Sequence, residues 1–159
     1  YKILKKNLTF KKFITLSIIS NNQVSKQIKE LIKLNELKIK IYEKVSNLKT
    51  RFMGDCDVVF SVGYLKKIES KIIENYEIIN LHPSLLPKYK GLMTHKRMLI
   101  NNEIRYGYSI HKVTKYLDDG EILSQNQKNI YTSSENELIL NHKRLEHQKV
   151  FADLVNFLN

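Results

Sequence analysis

The sequence predicts an α/β domain built on a parallel sheet flanked by helices. Two observations carry this reading. Short β-rich runs at 13–19, 38–42, 57–62 and 77–80 alternate with segments of helical spacing. The links between them are short, as layered α/β folds require. A chain of 159 residues suits one core, so residues 1–159 read as a single domain.

Taken in order, Phe13 to Ile19 is β-rich and ends at Ser20-Asn21-Asn22, a turn or helix-cap signal. Val24, Ile28, Leu31 and Ile32 follow helical spacing, with lysines on the other face. Lys38 to Tyr42 alternates as a strand. Asp57 to Val62 is a continuous apolar run of the kind a parallel sheet buries on both faces, and Gly63 ends it. A short helix is expected from Lys66 to Tyr76, then a strand from Glu77 to Asn80. Leu81 to Gly91 holds both prolines, Pro83 and Pro87, and reads as irregular. Thr94 to Asn102 can form a helix, and Tyr106 to Val113 alternates as a strand. Asp118-Asp119-Gly120 is a turn signal, after which Glu121-Ile122-Leu123 begins another strand. Ser134-Glu135-Asn136-Glu137 is a capping box. It opens a long amphipathic helix with Leu138, Leu145, Phe151, Leu154, Val155 and Leu158 on its apolar face.

The chain carries 27 basic and 16 acidic residues, a net charge of +11. Residues 1–50 hold twelve lysines and three glutamates, so the excess is concentrated there. Only four basic residues are arginine, the residue whose planar fork reads phosphates and bases. The charge therefore reads as solvated lysine, and no nucleic-acid partner is expected. No apolar run approaches the roughly 18–20 residues of a membrane span, so no membrane partner is expected either. The single cysteine, Cys56, cannot form an intrachain disulfide. A cytoplasmic protein, monomeric or weakly dimeric and acting on small molecules, is the expectation.

Chemistry concentrates in the middle of the chain. Asn80 and His82 stand two apart at the end of a predicted buried strand, so their side chains point the same way. The C-terminal edge of a parallel sheet is where open α/β folds bind ligands. A carboxamide and an imidazole there can donate jointly to an oxyanion, or can simply stabilise a turn. Asp118 offers a carboxylate in a segment that also reads as a plain turn. Gly63 to Ile68 is a loop directly after a buried strand, and Glu146-His147 lies in the last helix. His82, His95, His111, Cys56 and the carboxylates show no metal-ligand spacing, so no metal is expected.

Asn80-Leu81-His82-Pro83-Ser84-Leu85-Leu86-Pro87-Lys88-Tyr89-Lys90-Gly91 resembles the signature of folate-dependent formyltransferases. Gly107-Tyr108-Ser109-Ile110-His111-Lys112-Val113 resembles the family's second signature. The match continues through Leu117-Asp118-x-Gly120 and Ile122-Leu123-x-Gln125. Two long motifs in the right order make a specific match. Within the family, the branch acting on glycinamide ribonucleotide is most similar, through Pro83-Ser84, Gly91-Leu92-x-Thr94-His95 and Leu145-Glu146-His147.

The resemblance implies a Rossmann-like sheet with the formyltransferase fold. It also implies formyl transfer from 10-formyltetrahydrofolate to the amine of glycinamide ribonucleotide, a step of purine synthesis. Asn80, His82 and Asp118 would be catalytic, with Asp118 favouring the protonated form of His82. Leu65, Lys66, Lys67, Ile68 and Asn80 would bind the folate, and Glu146 the ribonucleotide. Formylation of another amine, such as an amino sugar, is the enzyme alternative, and a shortened homologue that only binds folate or a partner is the other. The family opens with a strand and a glycine-rich phosphate loop, which are not recognisable here. Residues 13–19 align with the family's second strand, leaving the fold N-terminally shortened, or with its first strand followed by a glycine-free loop at 20–27.

Overall fold

The computed structural model describes residues 16–20, 29, 39–45, 48–49 and 56–158. Of the expected helix around Val24 to Ile32, only Lys29 is among the described residues, and it is helical. Six strands form one sheet: β1 (Leu16–Ile19), β2 (Ile39–Tyr42), β3 (Val58–Val62), β4 (Glu77–His82), β5 (Arg105–Lys112) and β6 (Ile122–Asn129). Three described helices accompany them, α1 (Ser70–Asn75), α2 (Thr94–Ile100) and α3 (Glu135–Leu158).

The sheet order is β2-β1-β3-β4-β5-β6. β1 pairs in parallel with β2 and β3, and β3 with β4. The alternating strand faces explain the apolar runs. Ile18, Val58, Phe60, Ile79 and Leu81 join one core with Met98 and the α3 residues Leu138, Leu145, Val150 and Leu154. Their neighbours Ile19, Val59 and Ile78 join a second core with Val45, Leu48, Ile68 and Ile72. A strand buried on both faces has no polar alternation to show. β1 sits beside β3, the place of the first strand in a doubly wound sheet, so Ser20 stands at the edge where such folds bind ligands. All of the alternative phosphate loop at 20–27 except Ser20 lies outside the described residues.

The four strands from which a parallel sheet was expected are parallel, and β5 and β6 extend it into a mixed sheet. β5 runs antiparallel to β4, and β6 antiparallel to β5. The reason lies in the connection. A parallel return needs a crossover that carries the chain back along the sheet. Residues 83–93 are instead held as a loop, and α2, at seven residues, is only about 10 Å long. The chain therefore stays at the same edge, and the next strand runs back.

Other boundaries shift modestly. The helix expected from Lys66 is confined to Ser70–Asn75, and β4 continues through His82. β6 extends to Asn129 although most of its side chains are exposed. The capping box forms by a relay. The Glu137 N–H donates to Ser134 Oγ at 3.4 Å, while the Glu137 carboxylate accepts from Thr132 Oγ1 at 2.6 Å. The Ser134 N–H in turn donates to that Thr132 hydroxyl at 3.0 Å.

Candidate active site

Asn80 and His82 occupy same-side positions near the end of β4, and β5 brings His111 directly opposite Asn80. Asp118 reaches this edge from the loop between β5 and β6. Its Oδ2 lies 3.4 Å from His82 Nδ1 and accepts the Gly91 backbone N–H at 2.8 Å. Its Oδ1 lies 3.6 Å from His111 Nε2. The structure thus brings Asn80, His82, His111 and Asp118 into one cluster. Asp119, next in the chain, is exposed and pairs with Lys90.

The loop geometry explains the spacing between Asp118 and Gly120. The Lys112 N–H donates to the Glu121 carbonyl at 2.9 Å, so the two ends of the loop close on each other. A Cβ on Gly120 would sit 1.8 Å from the Lys112 carbonyl oxygen, a distance no side chain can occupy. Asp118 itself adopts a left-handed backbone with φ of 46°, a conformation aspartate tolerates better than most residues.

His82 is buried, and both ring nitrogens face oxygen. Nε2 lies 2.9 Å from the Tyr89 carbonyl, which can only accept, and Nδ1 faces the Asp118 carboxylate. The pocket is therefore built to accommodate a proton on each nitrogen.

His111, quoted in the second signature without a role, is a member of this cluster. Its Nδ1 is 2.9 Å from the Lys112 carbonyl and must donate there. In the neutral ring Nε2 is then bare, and Asn80 Nδ2 donates to it at 3.3 Å. Burial holds the His111 pKa below the usual histidine value, against the opposing pull of the Lys112 carbonyl and Asp118. A neutral His111 in this tautomer sets which end of the Asn80 amide faces it.

Residues of the two signatures that carry no charge hold the loop after β4. Ser109 Oγ donates to the Ser84 carbonyl at 2.7 Å and accepts the Leu86 N–H at 2.9 Å. Gln125 Nε2 donates to the Leu86 carbonyl at 2.9 Å and to Ser109 Oγ at 2.8 Å. Ser84 Oγ donates to the Lys88 carbonyl at 2.7 Å. These bonds seat the segment that carries Tyr89 and Gly91 against His82 and Asp118.

The loop from Leu65 to Ile68 follows β3, which ends beside the end of β4 through the Val62–Leu81 pair. Leu65, Lys66 and Lys67 are exposed, whereas the Ile68 side chain enters the second core. Glu146 lies apart from the cluster, on α3, half-buried and 3.6 Å from His142 Nε2. Leu92, Met93, Tyr116 and Leu117 are all exposed, and Leu117 packs beside Gly91. They give the site an apolar rim. No group of His, Cys, Asp and Glu suited to a metal ion occurs among the described residues. A separate cleft of about 650 Å³, lined by Arg105, Tyr106, Lys128, Tyr131, Leu138 and Asn141, contains none of the expected site residues.

The sequence pattern of formyl transferases matches residues 19–155. The chain belongs to the formyl transferase family. The phosphoribosylglycinamide formyltransferase of Escherichia coli K12 is 35% identical over 94 residues, covering 57% of this chain and 44% of that protein. The methionyl-tRNA formyltransferase of Borrelia recurrentis is 37% identical over 83 residues, covering 52% of this chain and 27% of that protein. The solved structure of the formyltransferase PseJ from Anoxybacillus kamchatkensis, in complex with UDP-4,6-dideoxy-4-formamido-L-AltNAc and tetrahydrofolate, superposes with a TM-score of 0.71. It is 22% identical, covers 91% of this chain and 77% of that one, and shares the fold. The chain spans less than half the length of the curated relatives it matches. The formyl transferase match spans all the residues that cluster at the end of β4.

Proposed function

We propose that this chain transfers a formyl group from 10-formyltetrahydrofolate to the amine of glycinamide ribonucleotide. The observation that carries the reading is the meeting of His82, Asn80 and Asp118 at the end of β4. The rim of Leu92, Met93, Tyr116 and Leu117 fits a flat pterin donor, since exposed apolar surface beside a polar centre favours such a ligand. Leu65, Lys66 and Lys67 stand at the same sheet edge and would flank it, the lysines facing its carboxylates.

When bound, the donor supplies the formyl carbon that the acceptor amine attacks. His82 and Asn80 donate to the oxygen that gains negative charge. His82 Nε2 must then leave the Tyr89 carbonyl, and Asn80 Nδ2 the His111 ring, so both donors are presently held by partners they can exchange. Asp118 faces His82 Nδ1 and would hold the imidazole in place while Nε2 turns to the substrate. Overall, one proton passes from the attacking amine to the donor nitrogen that leaves. Glu146 would contact the ribonucleotide.

Mixing the purified chain with 10-formyltetrahydrofolate and glycinamide ribonucleotide should yield the formylated nucleotide, detected by mass. A formylated product from an amino-sugar nucleotide, and none from glycinamide ribonucleotide, would replace the acceptor but keep the chemistry. No formylated amine from either, with folate binding retained, would overturn catalysis.

A further inference from the structure

Four polar side chains line up between α2 and α3, within electrostatic reach of His82. His95 Nδ1 lies 3.4 Å from Thr94 Oγ1, and His95 Nε2 lies 2.6 Å from His142 Nδ1. The other His142 nitrogen, Nε2, is buried without a hydrogen-bond partner and points to Glu146 Oε1, 3.6 Å away. His142 is almost fully enclosed, its ring edge-on to His95 and Tyr106. An interior donor or acceptor left unmade is costly, and one more turn of the Glu146 side chain toward the ring would satisfy it.

We propose that Thr94, His95, His142 and Glu146 form one chain of hydrogen bonds, with His142 as the positioning residue for Glu146 and with a polarity that reverses when Glu146 gains or loses a proton. At 2.6 Å, one of the facing imidazole nitrogens must carry a proton and the other must not. With Glu146 protonated, its hydroxyl donates to a bare His142 Nε2, His142 Nδ1–H donates to His95 Nε2, and His95 Nδ1–H donates to Thr94. With Glu146 ionised, His142 Nε2–H donates to the carboxylate, His95 Nε2–H donates to His142, and the Thr94 hydroxyl donates to His95. Each ring holds one proton in both states, and the only net change is the proton on Glu146.

The surroundings allow this. Burial pushes the Glu146 carboxyl up to about 7, opposed only by Lys143 on its own helix. Burial, together with His95 and His82, pushes His142 down to about 3. His95 is lowered by burial, with Glu135 and Lys143 acting in opposite senses on it. From β5, Tyr108 faces the same interior and donates to Asp153, and Tyr106 lies near Arg144. Burial outweighs the pull of Glu135 on His95 and keeps His142 below the usual histidine range. The consequence for the acceptor rests on the proposed function: Glu146 can meet it as acid or as carboxylate without creating an imidazolium inside the protein.

Nitrogen-15 spectra of the full chain with labelled histidines test the chain of bonds without any need for activity. As pH crosses about 7, His95 and His142 should pass together from the Nδ1–H to the Nε2–H tautomer, in step with the Glu146 carboxyl carbon signal. Glu146→Gln should freeze both rings in one tautomer. An imidazolium pattern in either ring over that range, or tautomers that ignore the Glu146 titration, would overturn the proposal. His142→Leu should move the Glu146 midpoint; if that variant fails to fold, the wild-type spectra decide alone. In the formyl-transfer assay, His142→Leu should raise the acceptor KM about tenfold, in a pH-dependent way, with kcat within about twofold. A loss confined to kcat would overturn the positioning role. An inactive wild-type chain would defeat the proposed function and leave the spectral test standing.

Discussion

The Ser109 hydroxyl donates to the Ser84 carbonyl at 2.7 Å inside the protein, tying the middle of β5 to the loop that follows β4. The same hydroxyl accepts from Leu86 and from Gln125. Ser109→Ala removes all three bonds and strands two backbone groups away from water. Stability should fall by about 1–3 kcal/mol in urea denaturation. A change below a few tenths would mean that the loop is seated by packing alone.

On the formyl-transfer reading, the two adjacent aspartates separate cleanly. Asp118→Asn keeps the shape of the side chain but removes the charge that faces His82 and His111. Turnover should fall by about 10²–10³-fold. Asp119→Asn removes only the exposed pair with Lys90, and turnover should stay within about twofold. Equal losses from the two substitutions would move the catalytic carboxylate off Asp118.

Gly120→Ala should be far worse than its size suggests. The new methyl would fall on the Lys112 carbonyl oxygen, backbone that cannot rotate away. The loop must open, taking Asp118 from His82, so we expect a loss of about 3 kcal/mol or more in stability. Proton NMR should show displaced signals from residues 113–121. An unshifted spectrum would mean that the loop closes differently.

How far the sequence led can be judged residue by residue. The apolar run at 57–62 announced a strand covered on both faces, and the spacing of Asn80 and His82 placed them on one side of β4. Strand direction is not written in local pattern, so the antiparallel β5 was invisible; it depends on how short α2 is. Most of β6 escaped because its exposed edge carries Gln, Asn and Lys, which give no burial signal. His142 was not singled out at all. It stands four residues after Leu138 and three before Leu145, on the same buried stripe, and that spacing was the available signal. His111 was in view but looked like one member of a motif until β5 was paired with β4.

Stability should depend on pH through two opposing groups on α3. Glu146 is raised in the folded state to about 7, so the native chain holds more protons than the unfolded one as pH climbs from the usual carboxyl range. That makes stability fall with rising pH through about 7, at up to about 1.4 kcal/mol per unit. His142 is lowered to about 3, so the unfolded chain binds the extra proton below the usual histidine range, and stability falls as pH drops toward about 3. Between the usual carboxyl and histidine values the two slopes largely cancel. Glu146→Gln should expose the His142 slope, with stability climbing steadily from about pH 3 to about 6.5 in thermal unfolding series. A flat profile in that variant would show that His142 is not held neutral.

The helix α3 is fastened at two points by polar side chains, once to α2 and once to the sheet. His142 meets His95, and Asp153 takes hydrogen bonds from Tyr108 and Asn126, both at 2.6 Å. The two anchors are eleven positions apart, about 16 Å along the axis. A rod pinned at two such points can neither roll nor slide by one turn without breaking both pins together. The span between them should therefore open as a single event, its amides exchanging with solvent at one common rate while the ends beyond each pin fray independently.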